Sequence, residues 1–306
     1  MRRIFCRAST NTMKFKTENI IKSVFGLLAF SSLLFLLGII VILFKEGLPV
    51  FKYVKLFEFI GGKFWYPTYD PPAFGILPLI LGTFWVTIGA MLIAVPLGIG
   101  SALYLHEIAG YRERAFLKPI IELLAGIPSI VYGFFGMVIL APFLQRLLHI
   151  PIGLCLFTAS FILGIMAVPT VSSLAEDALD YVPESFREAS FALGANRWQT
   201  LVKVVIPAAG SGISTAIILG VSRIVGETMT VLMVAGGAAV IPKSLFEPVR
   251  PMTANIAAEM GEAVVGSAHY HALFGIGLIL FLITLIFNMI AEMIGRRYRL
   301  KLGHGR

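Results

Sequence analysis

Apolar residues run together in this chain in blocks long enough to be read one by one. Val24 to Phe44, Leu123 to Leu144, Ile152 to Leu174 and Ala272 to Ala291 contain no Asp, Glu, Lys or Arg. A helix of about 20 such residues crosses the hydrocarbon layer of a bilayer and satisfies its backbone polar groups within itself. Pro71 to Leu105 is also uncharged but too long for one span. Its helix is therefore placed at Leu77 to Leu105, after an interfacial entry, with bends at Pro78 and Pro96. Ala208 to Gly236 completes the set, interrupted only by Arg223 and Glu227. The pattern predicts an all-α integral membrane protein with six transmembrane helices.

Composition supports this: 58% of the 306 residues are hydrophobic, 14% are charged and the mean hydropathy is +0.88. One soluble core cannot hide that much apolar surface. The basic residues decide the orientation. Seventeen of the 25 Lys and Arg fall in the segment through Lys22, the 106–118 loop, the 175–207 loop and the tail after Gly295; seven fall on the other side. Cytoplasmic flanks collect positive charge, so both termini are expected in the cytoplasm. The net charge of +8 follows from this asymmetry. Anionic lipid headgroups suffice to balance it, and no nucleic acid is called for.

The first span follows a long polar stretch and precedes no small-residue cleavage pattern, so it reads as a retained anchor. Cys6 is expected in the cytoplasm and Cys155 in the membrane, which argues against a mutual disulfide, and no metal spacing exists. The Lys45 to Phe74 loop holds Phe51, Tyr53, Phe57, Phe59, Phe64, Trp65, Tyr66 and Tyr69. Such residues favour the membrane boundary, and the loop is expected to lie on the outer leaflet.

Charge inside a span costs roughly 2.5 to 3.5 kcal/mol, so Arg223 and Glu227 demand a reason. Gly212, Ala216 and Gly220 put small side chains on one helix face, and steps of three and four carry that face on to Arg223 and Glu227. On that reading the pair points inward. Two roles stay open: mutual neutralisation that locks the bundle, or a guanidinium offered to a passing oxyanion while Glu227 restrains it. Glu122, just inside the third span, either snorkels or pairs with a cation, or serves the path. Pro128, with Gly126 and Gly133, either breaks the third span and exposes backbone donors to an anion or only kinks it. Ser129, Thr228 and Thr230 line the path or bond back to the backbone. Glu259 and Glu262 are expected to be solvated in an outer loop, and His269 and His271 to be interfacial. The sequence has no Gly-x4-Gly-Lys-Ser/Thr phosphate loop, no His-Glu-x2-His and no Gly-x-Ser-x-Gly. No enzymatic chemistry is expected of it.

Between the fourth and fifth spans lies Glu188-Ala189-Ser190-x3-Gly194, followed by Val204-x-Ile206-Pro207. This resembles the coupling-loop motif of ABC importer permeases, Glu-Ala-Ala-x3-Gly-x9-Ile-x-Leu-Pro, with conservative departures at Ser190, Val204 and Ile206. In that family the loop forms two short helices that dock on a separate ATPase. Further matches are Gly226-Glu227-Thr228-Met229 after Arg223, Ile127 to Gly133, Ala94 to Ile99, Ala254-Asn255-Ile256-Ala257 and Gly261-Glu262-Ala263. They are similar to permeases of the high-affinity phosphate uptake system, of the PstC type, over residues 75 to 298.

The resemblance implies a five-helix type I importer core with the N-terminal helix added, and the chain divides accordingly. Residues 1–22 form a cytoplasmic segment, 23–44 the first helix, 45–74 an extracytoplasmic loop, 75–294 the permease domain with its coupling loop at 175–207, and 295–306 a cytoplasmic tail. The implied partners are a PstA-like second permease subunit, a PstB-like ATPase dimer and a PstS-like phosphate-binding protein. ATP and Mg would be bound by the partner ATPase, and no cofactor by this chain. The implied location is the inner membrane of a prokaryote. A permease for sulfate or molybdate, or an ion-coupled secondary transporter, remains the alternative.

Overall fold

A computed structural model describes the backbone of residues 2–301 and the side chains of 21–290 together with 292 and 293. The expectations for Cys6 and for the basic tail fall on side chains outside the described residues. Among those described, six helical stretches are long and apolar enough to cross a membrane: Ile21–Lys52, Leu77–Ile108, Ser129–Leu148, Leu156–Asp180, Arg197–Val225 and Ala268–Ile290.

Helix α1 (Arg2–Gly47) exposes Phe25, Leu33 and Phe35, a surface that only lipid or another apolar chain can cover. It leans on α14 (Ala268–Lys301) where Gly47 approaches the backbone of Phe274 and Leu43 meets Gly277. The connection after α1 differs from the expected interfacial strip. It folds into a cap: a 3-10 turn at Leu48–Lys52, α2 (Leu56–Gly61) and an antiparallel hairpin of β1 (Trp65–Tyr66) with β2 (Ala73–Phe74). Val50, Phe59, Trp65 and Phe74 are buried with Ile76, Met252, Leu273 and Ile276 in a second core. The aromatics therefore divide, with Phe57, Phe64 and Tyr69 facing out. Gly62 and Gly75 let the two sides of the cap touch backbone to backbone. A Cβ on Gly62 would lie 2.6 Å from the Gly75 Cα.

The centre of the molecule is α3 (Leu77–Leu103) against α7 (Leu156–Asp180). Val86, Ala90, Ala94, Gly98 and Ala102, four apart, form one buried stripe on α3. Gly98 meets Val171, and Gly164 of α7 meets Ile93 and the Ala90 carbonyl. Lipid tails are as apolar as leucine, so helices associate in a bilayer through such close van der Waals approach. Pro78 sits in the first turn of α3, where its missing N–H is no loss, and does not mark a bend.

The third and fifth predicted spans are each broken. Tyr111–Ala125 forms α4, Gly126 to Pro128 interrupts, and α5 (Ser129–Phe135) runs through a wider helical turn at Gly136–Leu140 into α6 (Ala141–Leu148). Pro128 supplies no amide hydrogen and disfavours helix at the residue before it, which explains the break. Between the fourth and fifth spans lie α8 (Glu184–Ala192), α9 (Arg197–Thr200), a wider turn at Leu201–Val205 and α10 (Ile206–Ala208). After these, α11 (Gly210–Val225) stops at Gly226 and α12 (Met229–Val234) resumes. Gly212 and Gly220 of α11 pack on Ala178 and Val171 of α7, as their spacing predicts. Two further helices, α13 (Met252–Glu259) and α14 (Ala268–Lys301), finish the chain.

Candidate substrate path and coupling surface

At one end of the bundle α8 and α9 form a helical hairpin. Gly194, at φ +83°, ends α8: the Ala195 N–H donates to the Ser190 carbonyl and the Gly194 N–H to Phe191, a Schellman stop. Asn196 and Gln199 cap α9 reciprocally. Ser190, where the family motif has Ala, is buried and its hydroxyl lies 2.9 Å from that of buried Thr200, closing the hairpin. Ile206 packs on a cluster of Leu179, Val182, Leu201 and Val205, which joins the hairpin to the end of α7. Pro207 falls in the first turn of α10, where no N–H is needed. Glu188 and Ala189 are exposed. So are Phe186, Phe191, Trp198 and Leu193, the last 89% exposed, which leaves an apolar tip uncovered by this chain.

Behind the tip lies a network the sequence did not reveal. Arg114 of α4 donates to Glu176 of α7 at 2.8 Å and to Asp180 at 3.1 Å, and Lys118 lies 3.3 Å from Glu176, whose side chain is only 2% exposed. Hydrogen bonding to Glu176, and then the nearby charge of Asp180, holds the Arg114 guanidinium above its ordinary range against the opposing effect of burial. Being raised, this contribution is present below the unfolded value and is lost only in strong alkali, so the link is insensitive to pH near neutrality. His106 joins Glu107 to Asp180, and Arg187 of α8 pairs with Glu107. Periodicity could not find the partners that lie on different elements, since 58 to 80 residues separate them.

Deeper in the bundle the two helix breaks meet. The Thr230 hydroxyl of α12 donates to the Ser129 carbonyl at 2.9 Å, and Gly133 of α5 faces Thr230 and Met233. The Tyr132 hydroxyl donates back to the Leu124 carbonyl across the α4–α5 break. Arg223 and Glu227 do not pair with each other, contrary to the first of the two roles left open. Arg223 Nη1 donates to Thr170 Oγ1 of α7 at 3.2 Å, and Glu227 accepts from the Thr230 N–H at 3.2 Å. The helix ends between them, so their spacing no longer sets a common face. Nor is Arg223 turned into this chain: it is exposed, with Glu227 and Thr228 half-buried beside it. Thr228 bonds back to the Gly226 carbonyl at 3.3 Å, and Ser129 is half-buried at the start of α5.

Glu122 lies on α4, ahead of the break, and is exposed. It lines a hollow with Gly126, Ile127 and Pro128 at the α4–α5 break.

The opposite end carries a second correction. Glu259 is not solvated; it accepts from Trp65 Nε1 at 2.9 Å and from Arg250 Nη1 at 2.6 Å, and lies 2.9 Å from His269 Nε2. His271 donates to the Glu46 carbonyl. Glu259 thereby ties the hairpin cap to α13 and α14, while Glu262 stays exposed.

The family model described as binding-protein-dependent transport system inner membrane component matches residues 94–300, more than half of the chain. The chain belongs to this family.

Its curated relatives include the probable ABC transporter permease protein YqgH of Bacillus subtilis, 41% identical over 80% of this chain and 79% of that one. The phosphate transport system permease protein PstC of Mesorhizobium japonicum is 38% identical over 77% of each chain. PstC of Haemophilus influenzae is 32% identical over 93% of this chain and 96% of that one. Among solved structures, an inward-facing MetNI methionine ABC transporter matches at TM-score 0.55 and 21% identity over 73% of this chain and 94% of that chain. A bacterial alginate ABC transporter in complex with a periplasmic protein matches at TM-score 0.61 and 15% identity, covering 89% and 94%. At those identities the structures speak for the fold alone. The chain is thus a multi-pass inner-membrane transport permease with the fold of ABC importer permeases.

Proposed function

We propose that this permease forms half of the path by which inorganic phosphate enters the cell, with ATP and Mg bound and hydrolysed on separate subunits. The observation that carries the reading is Arg223: a guanidinium at the junction of two broken helices, exposed on this chain and held by one threonine hydroxyl. An unneutralised charge on a spanning element cannot face lipid cheaply, so it faces a wet path or a second subunit. Its planar donors suit a tetrahedral oxyanion. Relatives at 32 to 38% identity that are named phosphate permeases support phosphate over sulfate or molybdate.

Glu227, Thr228, Ser129 and Glu122 border this path. Glu122 and Glu227 add negative charge near it, which keeps the anion from binding too tightly, as conduction requires. The apolar tip with Glu188, Ala189 and Gly194 receives the stroke of a PstB-like ATPase dimer. A PstA-like permease completes the path, and a PstS-like binding protein delivers the anion to the opposite end. Both termini and the tip then lie in the cytoplasm.

The test is uptake of labelled phosphate by proteoliposomes holding the co-purified complex and the binding protein. Uptake is expected to need ATP on the tip side and to resist competition by sulfate and molybdate. Uptake that persists without ATP would favour an ion-coupled transporter, and displacement of phosphate by sulfate a different oxyanion.

A further inference from the structure

The network behind the tip joins the hairpin to three other helices through a chain of polar contacts between ionisable side chains. Arg187 points inward from α8, 13% exposed, and meets Glu107 in the wider turn that follows α3. His106 lies 3.1 Å from Glu107 and 2.9 Å from Asp180, and Asp180 shares the Arg114 guanidinium with Glu176. Two facts make these contacts mechanical rather than decorative. Only Ser190 of α8 is fully buried, so packing alone fixes the coupling helix poorly. None of the α4 side chains is fully buried either, and α4 is fastened to α7 chiefly by Arg114 and Lys118. At its far end α4 accepts, through the Leu124 carbonyl, the hydroxyl of Tyr132, which packs against the core cluster holding Ile224, the sequence neighbour of Arg223.

We propose that Glu107 and Arg187 form a positioning pair that clamps the coupling helix to the end of α3 and, through His106, Asp180 and Arg114, carries its displacement to the α4–α5 joint beside Arg223. The proposal rests on the ATP-driven reading above. Without the pair, α8 would still accept the push of an ATPase but would swing on the Ser190–Thr200 contact, spending the stroke locally. Neither residue touches substrate or nucleotide on this account, so the defect expected is lost coupling rather than lost chemistry.

The experiment uses the complete complex in proteoliposomes and reads labelled phosphate transported per ATP hydrolysed. Glu107→Gln is expected to lower that ratio about tenfold, within the usual range of coupling energies, while hydrolysis stays within about twofold and the subunits still co-purify. Because Arg187 also lies 3.4 Å from Glu184, the exchange Glu107→Arg with Arg187→Glu is made together with Glu184→Gln; it restores the attraction with reversed sign and is expected to recover the ratio to within about threefold of the unmodified complex. An unchanged ratio in Glu107→Gln overturns the clamp, as does an exchange no better than either single change. Loss of assembly in both variants also overturns it, in favour of a purely structural pair. If the unmodified complex shows no ATP-dependent uptake, the transport reading itself falls; if it transports normally and only the ratio test fails, the clamp alone is wrong.

Discussion

Arg223 shows how far a single residue can be read. Its presence inside an apolar block is visible at once, because the cost of burying a guanidinium makes it an exception. Its partner is not visible, since Thr170 lies 53 residues away on another helix. The nearest carboxylate in sequence, Glu227, is the wrong partner because the backbone breaks between them and turns Glu227 to cap α12. With only one neutral hydrogen bond to lose inside this chain, Arg223→Gln is expected to leave subunit assembly intact and to reduce phosphate uptake at least a hundredfold. Co-purification yield and initial uptake rate check the two halves. Failure to assemble would return Arg223 to a structural role. Ser190 teaches the complementary lesson: a conservative departure from the motif proves to be a buried hydroxyl that finds Thr200.

Among the elements, α3 and α7 depend on small side chains rather than on hydrophobicity, which every membrane-spanning helix here shares. A Cβ on Gly164 would stand 2.8 Å from the Ile93 Cβ and 3.0 Å from the Ala90 carbonyl oxygen, and neither neighbour is a flexible tip. Gly164→Leu is therefore expected to separate the two central helices at a cost of about 3 kcal/mol or more. A fall in detergent-extracted thermal stability and in complex yield would show it, whereas Gly26→Leu on lipid-facing α1, where a Cβ meets nothing, is expected to be neutral. Block length announced that helices exist at these places. It did not announce the stop at Gly226 to Thr228, because hydropathy averages over a break that costs no apolar residues; the stop at Gly126 to Pro128 was legible only through its proline and glycines, which fit a kink equally well. Nor did it show that the Lys45 to Phe74 aromatics build a cap, since a buried ring and an interfacial ring have the same composition.

For the whole molecule, two ends of different chemistry follow: the apolar tip with its ionic network, and the cap clasped around Glu259. Single cysteines at Leu193 and Val265, both highly exposed, are expected to react with an impermeant thiol reagent from opposite sides of the membrane, Leu193→Cys from the cytoplasm. Labelling of both from one side would refute the single crossing between them. A reversed pattern would refute the charge-based orientation.

The sequence alone determined that the chain is helical and membrane-spanning, and that six apolar blocks mark its crossings. These follow from solvent: water and lipid sort residues by local composition, and a span must meet its backbone hydrogen bonds from within its own segment. Tertiary structure alone decided which charges meet. Ion pairs and hydrogen bonds act over a few ångströms and join residues far apart in the chain. Arg223 with Thr170, Arg187 with Glu107, and Glu259 with Trp65, Arg250 and His269 thus exist only once the helices have packed.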